Sequence, residues 1–291
     1  MAQYQWSEIF LSLEGEAMFT GWPTVYIRFA RCNFQCRGFN NPEGLDTTKV
    51  EVLGFDPKDY SDLKSLPLIT RGCDSIYSWD KKFAHLWHKG DETNLAEETI
   101  KLLPFNSWIH PKSNLPVILS LTGGEPTLNW KTIPTLINHP LFADISHLLF
   151  ETNCAVPLTW DFIDNLNDWL DAKNRKVIWS NSPKLSVSGE VWNKAIKPEI
   201  AIMQKHVERH IQYFKFVCDA SERDFDEVEK AMKEYHNAGI PKNTKVYVMP
   251  VACTSFQQEE NATQIANMCM ERGYIFCIRL QNILWGNEVG T

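Results

Sequence analysis

The chain has 291 residues, 44% of them apolar and 22% charged, with 14 glycines and 15 prolines. That composition supplies a sizeable core and excludes both an intrinsically disordered chain and a collagen-like repeat. Lys and Arg total 29 against 36 for Asp and Glu, a formal charge of -7, and no basic run offers a track for phosphates. Direct binding to nucleic acid is therefore not expected.

The opening MAQYQWSEIFLSLEGE carries carboxylates where a secretory signal needs a basic start and an unbroken apolar stretch. No later apolar run approaches the roughly 20 residues that span a bilayer. The expectation is a soluble, cytoplasmic protein without a membrane partner. Eight cysteines are too sparse for a disulfide scaffold, and in a reducing compartment they act as small buried hydrophobes or as ligands.

In chain order, TVYIRF (24–29) reads as a strand leading into RCNFQC, so Cys32 and Cys36 share one loop. That spacing alone fits two ordinary thiols equally well. Residues 37 to 72 are rich in Asp, Pro and Gly and have little periodicity, which predicts an insertion loop. Beyond it, Cys73 stands in RGCDSIYSWD. From about residue 117, apolar β-branched runs alternate with helical periods: VILSL (117–121), HLLFE (147–151), KVIWS (176–180), YFKFV (213–217), KVYVM (245–249) and YIFCI (274–278). Between them, DFIDNLNDWL puts Phe162, Ile163, Leu166, Trp169 and Leu170 on one helical face, and Ser221 caps a second helix stopped by Gly239 and Pro241.

This alternation predicts an α/β chain of a single domain, as a doubly wound sheet or a partial barrel; either places its site at the strand C-termini. Three polar motifs fall there: LTGGEP (121–126), FETN (150–153) and SNSPK (180–184). Two glycines at a strand end let a ligand approach the backbone closely, and Glu125 adds a carboxylate. Cys154, Cys218, Cys253, Cys269 and Cys277 lie in or beside apolar segments and read as packing. His206 and His210 stand four apart among Lys205, Glu208 and Arg209, a solvated helical face.

Taken together, these motifs resemble the radical S-adenosylmethionine enzymes, and within them the 7-carboxy-7-deazaguanine synthase family. The stretch EIFLSLEGEAMFTGWPTVYIRFARCNFQC is similar to that family's opening, and TGGEP, ETN and SPK follow in its order. The resemblance implies a partial TIM-like barrel of mostly parallel strands. It implies a four-iron, four-sulfur cluster on three cysteines, with S-adenosylmethionine chelated at the iron left free. The family's CxxxCxxC motif is broken here by Phe39, which cannot ligate iron. The residues after Cys73 resemble those after the family's third cysteine, so the ligand set becomes Cys32, Cys36 and Cys73, with 36 residues between the last two.

By the same resemblance, Gly123, Gly124 and Glu125 position the cofactor's methionine amine, and Glu151, Ser182 and Lys184 lie near the rest of it. Glu14, Glu16 and Arg28 flank a pterin, with Arg28 as the fork for its carboxylate. Mg²⁺ is expected beside Ser75. The implied reaction is a carbon–nitrogen lyase step in deazaguanine (queuosine-type) biosynthesis: radical ring contraction of 6-carboxy-5,6,7,8-tetrahydropterin with loss of ammonia, started by a 5′-deoxyadenosyl radical. An external electron donor such as flavodoxin or ferredoxin, and a homodimer, are implied as partners. Near the C-terminus, RLQNILWGN puts Ile283 or Leu284 where the family has His. Two other functions remain open at this point: an activase that installs a glycyl radical on a partner protein, and a cluster-free binding or regulatory protein marked by Phe39.

Overall fold

The computed structural model describes residues 2–41, 46–47, 49–171, 174–286 and 288–291. Nine strands make one sheet: β1 (Tyr4–Leu13), β2 (Pro23–Phe29), β3 (His88–Gly90), β4 (Ile118–Gly123), β5 (His147–Thr152), β6 (Lys176–Asn181), β7 (His210–Cys218), β8 (Val246–Pro250) and β9 (Ile275–Phe276). Their spatial order is β3-β1-β2-β4-β5-β6-β7-β8-β9. β1 runs antiparallel to β2 and β3, and every pairing from β2 onward is parallel.

This order decides between the two architectures that periodicity leaves open. A doubly wound sheet reverses its strand order at a switch point. Here each strand from β4 onward adds to the same edge, so right-handed crossovers carry the connecting helices to one face. That is the winding of a barrel. Because β3 and β9 end the sheet without pairing to each other, the barrel is partial, as the resemblance implied.

The two faces separate by the period-2 alternation of a strand. Val25, Ile27, Leu119, Leu121, Leu148, Phe150, Val177, Trp179, Phe214 and Phe216 point outward into the main core, where the helix Trp160–Asp171 packs Phe162, Ile163, Leu166, Trp169 and Leu170. The inner face begins with a second apolar layer, Ile118, Leu149, Ile178, Tyr213 and Tyr247, capped by Phe19 from the turn after β1. Ser221 caps the helix Glu222–Ala238 by accepting from the Asp224 N–H, and Gly239 ends it at φ +112°, as the sequence predicts.

β1 departs from simple alternation. Trp6 lies opposite Phe29 and Glu8 opposite Arg28, with a register shift between them. This bulge sends Trp6 outward into the core while turning Glu8 and Phe10 to the inner face beside Arg28 and Tyr26.

The expected insertion contains residues 42–45 and 48, which lie outside the described residues. Its described part has no strand and only two three-residue turns of 3₁₀ helix, Pro57–Asp59 and Leu63–Ser65. It has a small core of its own: Leu53, Leu63 and Ile69 pack with Ile76, Tyr77, Phe83 and Leu86, residues that follow Cys73. Phe83 is fully buried there. Phe83→Ala should open the cavity left by its ring and cost roughly 3–5 kcal/mol locally. Limited proteolysis should then cut between residues 49 and 71 faster than in the parent, and equal cleavage rates would show that this cluster does not hold the excursion.

Candidate active site

Further along each strand the inner face turns polar. Thr122 on β4, Glu151 on β5 and Lys215 on β7 follow the apolar layer and line a cavity of about 820 Å³, a size suited to a small-molecule ligand. With the sole exception of Glu125, every site residue predicted from the sequence lines this cavity: Glu14, Glu16, Arg28, Cys32, Cys36, Cys73, Ser75, Gly123, Gly124, Glu151, Ser182 and Lys184.

Cys32 and Cys36 sit in the loop after β2. Arg31 (φ +80°), Cys36 (φ +49°) and Asn40 (φ +55°) hold left-handed backbone there, a conformation that costs non-glycine residues about 1–3 kcal/mol each and persists only where surroundings enforce it. The Glu190 carboxylate is one such constraint, accepting the N–H groups of Gln35 (2.8 Å) and Cys36 (2.9 Å). The excursion leaves from this loop and returns to it, because the Gly72 N–H donates to the Phe39 carbonyl at 2.8 Å. Cys73 thus arrives beside the position that Phe39 occupies, and Cys32, Phe39 and Cys73 all pack against the buried Phe34 and Cys36.

None of the eight cysteines is in a disulfide. Burial pushes the Cys32 thiol up to about 12 and raises those of Cys36 and Cys73, with Cys73 adding to the rise at Cys32 and Cys36. A metal's positive charge is what removes such protons. Among the described residues no three His, Cys, Asp or Glu side chains converge tightly enough for a single ion. The three thiols line one cavity, and thiolate is the donor type that an iron–sulfur cluster takes.

The TGGEP glycines are set by close approach. A Cβ on Gly124 would lie 2.0 Å from the Arg31 carbonyl oxygen and 2.9 Å from the Cys32 Cβ, so only glycine lets β4 end against the cysteine loop. The Gly124 and Glu125 N–H groups then donate to Phe29 (3.2 Å) and Arg31 (2.9 Å) carbonyls. Glu125, expected at the cofactor amine, is placed elsewhere: fully buried, its carboxylate accepts from the Thr127 and Thr152 hydroxyls and the Thr127 and Asn153 N–H groups. It braces the ends of β4 and β5 from behind.

The acidic pair of the EGE motif splits into two electrostatic states. Glu16 is buried, and although burial raises its pKa, Lys215 (2.5 Å) and Arg279 (3.0 Å) outweigh this and hold it as a carboxylate. Glu14 is pushed well above the usual range by burial and then by Glu151, with Tyr26 donating to it at 3.1 Å. A carboxyl kept neutral donates as well as accepts. Arg28 spends its Nε on Glu8 at 2.6 Å and lies over the rings of Phe10 and Tyr77. No hydrogen bond among the described residues engages its two terminal nitrogens, and they remain a fork.

Sequence reasoning missed Glu8, Asp74, Glu190, Lys215 and Arg279. Lys215 gave the one available signal, a charge inside the apolar strand YFKFV. Cys253, read as packing, also lines the cavity and accepts from Asn40 at 3.5 Å.

Three thiols lining one cavity and a glycine-lined strand end at the mouth of a singly wound parallel sheet are the arrangement that the resemblance to radical S-adenosylmethionine enzymes implies. No family model matches the chain. Among curated proteins it is similar to the 7-carboxy-7-deazaguanine synthase of Pyrobaculum aerophilum, 26% identical over 97% of this chain and 95% of that protein. It is similar also to that of Rhodopirellula baltica, 24% identical over 98% and 88%. The crystal structure of QueE from Escherichia coli covers 95% of the chain and 93% of its own at 17% identity, with a TM-score of 0.49. The similarity to these proteins named 7-carboxy-7-deazaguanine synthase runs over nearly the whole chain.

The raised Glu14 pKa has a consequence for stability. The folded state holds a proton that the unfolded chain releases near pH 4.5, so this contribution is complete below that pH and is lost as pH rises toward the folded pKa. Glu14→Gln removes the titration. Its melting temperature should exceed that of the parent by a margin that is larger at pH 8 than at pH 5, and a pH-independent difference would show that Glu14 is ionised in the fold.

Proposed function

We propose that the chain is a 7-carboxy-7-deazaguanine synthase, a carbon–nitrogen lyase that contracts the ring of 6-carboxy-5,6,7,8-tetrahydropterin with loss of ammonia. One observation carries the reading: a single cavity joins the three thiols to the open Arg28 fork and to Glu14. The nearly full-length similarity to proteins of that name supports it. Cys32, Cys36 and Cys73 would hold a four-iron, four-sulfur cluster, which when bound supplies reductive cleavage of S-adenosylmethionine. The backbone at Gly123 and Gly124 admits the cofactor's methionine part, while Glu151, Ser182 and Lys184, the last two hydrogen-bonded at 3.0 Å, border the rest.

On the substrate side, Arg28 takes the pterin carboxylate through its two terminal nitrogens. Glu14 both donates to and accepts from the aminopyrimidinone edge, and Glu16 keeps a fixed negative charge nearby. Leu66, Pro67, Leu68 and Ile69 of the excursion wall the cavity and exclude the water that would intercept a radical. Ser75, whose hydroxyl lies 3.4 Å from the Cys73 sulfur, offers one oxygen to a Mg²⁺ that keeps its waters and shares the substrate carboxylate. An external one-electron donor such as flavodoxin or ferredoxin, a homodimer and a cytoplasmic setting complete the proposal. Among the described residues, no helix is long and apolar enough to cross a membrane.

Anaerobically reconstituted protein given S-adenosylmethionine, a strong reductant and the pterin should release 7-carboxy-7-deazaguanine and 5′-deoxyadenosine. Cofactor cleavage with an unchanged pterin would favour an activase, and absence of iron and sulfide would favour a cluster-free binding protein. Cys73→Ala should lose the cluster; full iron content in that variant would remove Cys73 from the ligand set. Ser75→Ala should weaken the Mg²⁺ dependence of turnover, whereas superimposable Mg²⁺ titrations would exclude Ser75 from that site.

A further inference from the structure

Arg279 stands where three separate segments meet. Its Nη2 donates to the Asp74 carboxylate, its Nε to Glu16 Oε1 at 3.0 Å and its Nη1 to the Ala252 carbonyl at 2.7 Å. Asp74 directly follows Cys73, on the cluster side of the cavity. Glu16 belongs to the turn after β1, on the substrate side. Both carboxylates line the cavity and share one guanidinium, and two like charges so placed repel. The guanidinium is therefore the group that lets them lie close together.

Arg279 is itself held before any ligand binds. Its own N–H donates to Gln258 Oε1 at 2.7 Å, and the next residue, Leu280, donates its N–H to the Gly15 carbonyl at 2.9 Å. Gln281 then reaches Glu16 Oε1 at 3.2 Å. A Cβ on Gly15 would stand 1.8 Å from Gln281 Oε1, so the glycine leaves room for this placement of the Gln281 side chain. The side chain is a preorganised planar fork with fixed backbone on both sides.

We propose that Arg279 is a positioning residue that sets the register between the Cys73 loop and the Glu16 turn, and so between the source of the radical and the bound pterin. The inference rests on the synthase reading. Hydrogen abstraction needs reacting atoms within about 3–3.5 Å, and a displacement of about 1 Å costs on the order of a hundredfold in rate. Without the bridge, Asp74 and Glu16 repel, and the two halves of the cavity lose that register. Lysine cannot replace the fork, because a single ammonium cannot serve Asp74, Glu16 and Ala252 in three fixed directions.

The test is a double-mutant cycle in the reconstituted holoenzyme with Arg279→Lys, Asp74→Asn and both together. The readings are iron content, product formed per 5′-deoxyadenosine, and calorimetric pterin affinity of the cluster-free protein. Both single variants should keep their iron and lose about tenfold or more in product per 5′-deoxyadenosine. The double variant should be no worse than the worse single one, because both changes break the same bridge. Arg279→Lys should also weaken pterin binding to the cluster-free protein, through Glu16, while Asp74→Asn should do so less. Additive losses, unchanged coupling, or loss of iron in Arg279→Lys would overturn the assignment, the last by showing a role confined to folding the cysteine loop. If the parent protein makes no product, the synthase reading falls and this inference with it; if the parent makes product and the variants behave additively, only the inference fails.

Discussion

A carboxylate cannot be buried alone, and the interior of this protein is arranged around that constraint at Glu16. Desolvating an ion costs several kcal/mol, which only good partners offset. Lys215 comes from β7, 199 positions away, and Arg279 from the C-terminal segment, 263 positions away. Seating those two cations draws the turn after β1 across the inner face of the sheet, so that Phe19 plugs the apolar layer at its start. It also fixes the C-terminal segment against Gly15 and, through Arg279, the residue beside Cys73. Glu14, two residues earlier, has Tyr26 and no such pair of cations, and burial raises its pKa. One short motif thus holds two acids shifted in opposite directions because of what stands opposite each.

The excursion between Phe39 and Gly72 shows how a residue far along the sequence can be returned to the loop it left. Loop-closure entropy grows only logarithmically with length, about 0.6 kcal/mol per doubling, so a long detour between two thiols is tolerable once its ends are joined. The Gly72 to Phe39 hydrogen bond joins them. Leu53, Leu63 and Ile69 then find apolar partners in Ile76, Tyr77, Phe83 and Leu86. Because Cys73 itself packs against this small core, the excursion is part of what holds the third thiol in the cavity wall. Phe39 packs with Cys32 and Cys73 against Phe34 and Cys36.

How much of this was legible in the sequence follows from the range of the interactions involved. Parallel strands buried on both faces read as apolar runs, and β2 and β4 to β8 were found within about three residues of their observed ends. The capped helix after Ser221 was equally plain, since its signals are local. β1 was not read as a strand, because its bulge breaks the alternation between Trp6 and Glu8. The choice of barrel over doubly wound sheet lies in strand order, which no local pattern encodes. Glu125 belonged to a legible motif, yet its direction depends on Thr152 and Asn153 from the next strand. Lys215 and Arg279 were out of reach for the same reason: what makes them important is a partner some 200 residues distant or more.

The polar part of the cavity is confined between two apolar layers. On one side Ile118, Leu149, Ile178, Tyr213 and Tyr247 close the inner face of the sheet under Phe19. On the other, Leu66, Pro67, Leu68 and Ile69 from the excursion and Trp285 from the last helix line the opening. Charges placed between such layers interact at reduced dielectric, which strengthens both the attraction of Lys215 and Arg279 for Glu16 and the penalty for charging Glu14. A site that must guard a reactive intermediate from water needs the same enclosure. The burial that raises the pKa of Glu14 is therefore the same feature that the proposed radical chemistry would need. The excursion, which looks in sequence like an interruption of the cysteine motif, provides half of it.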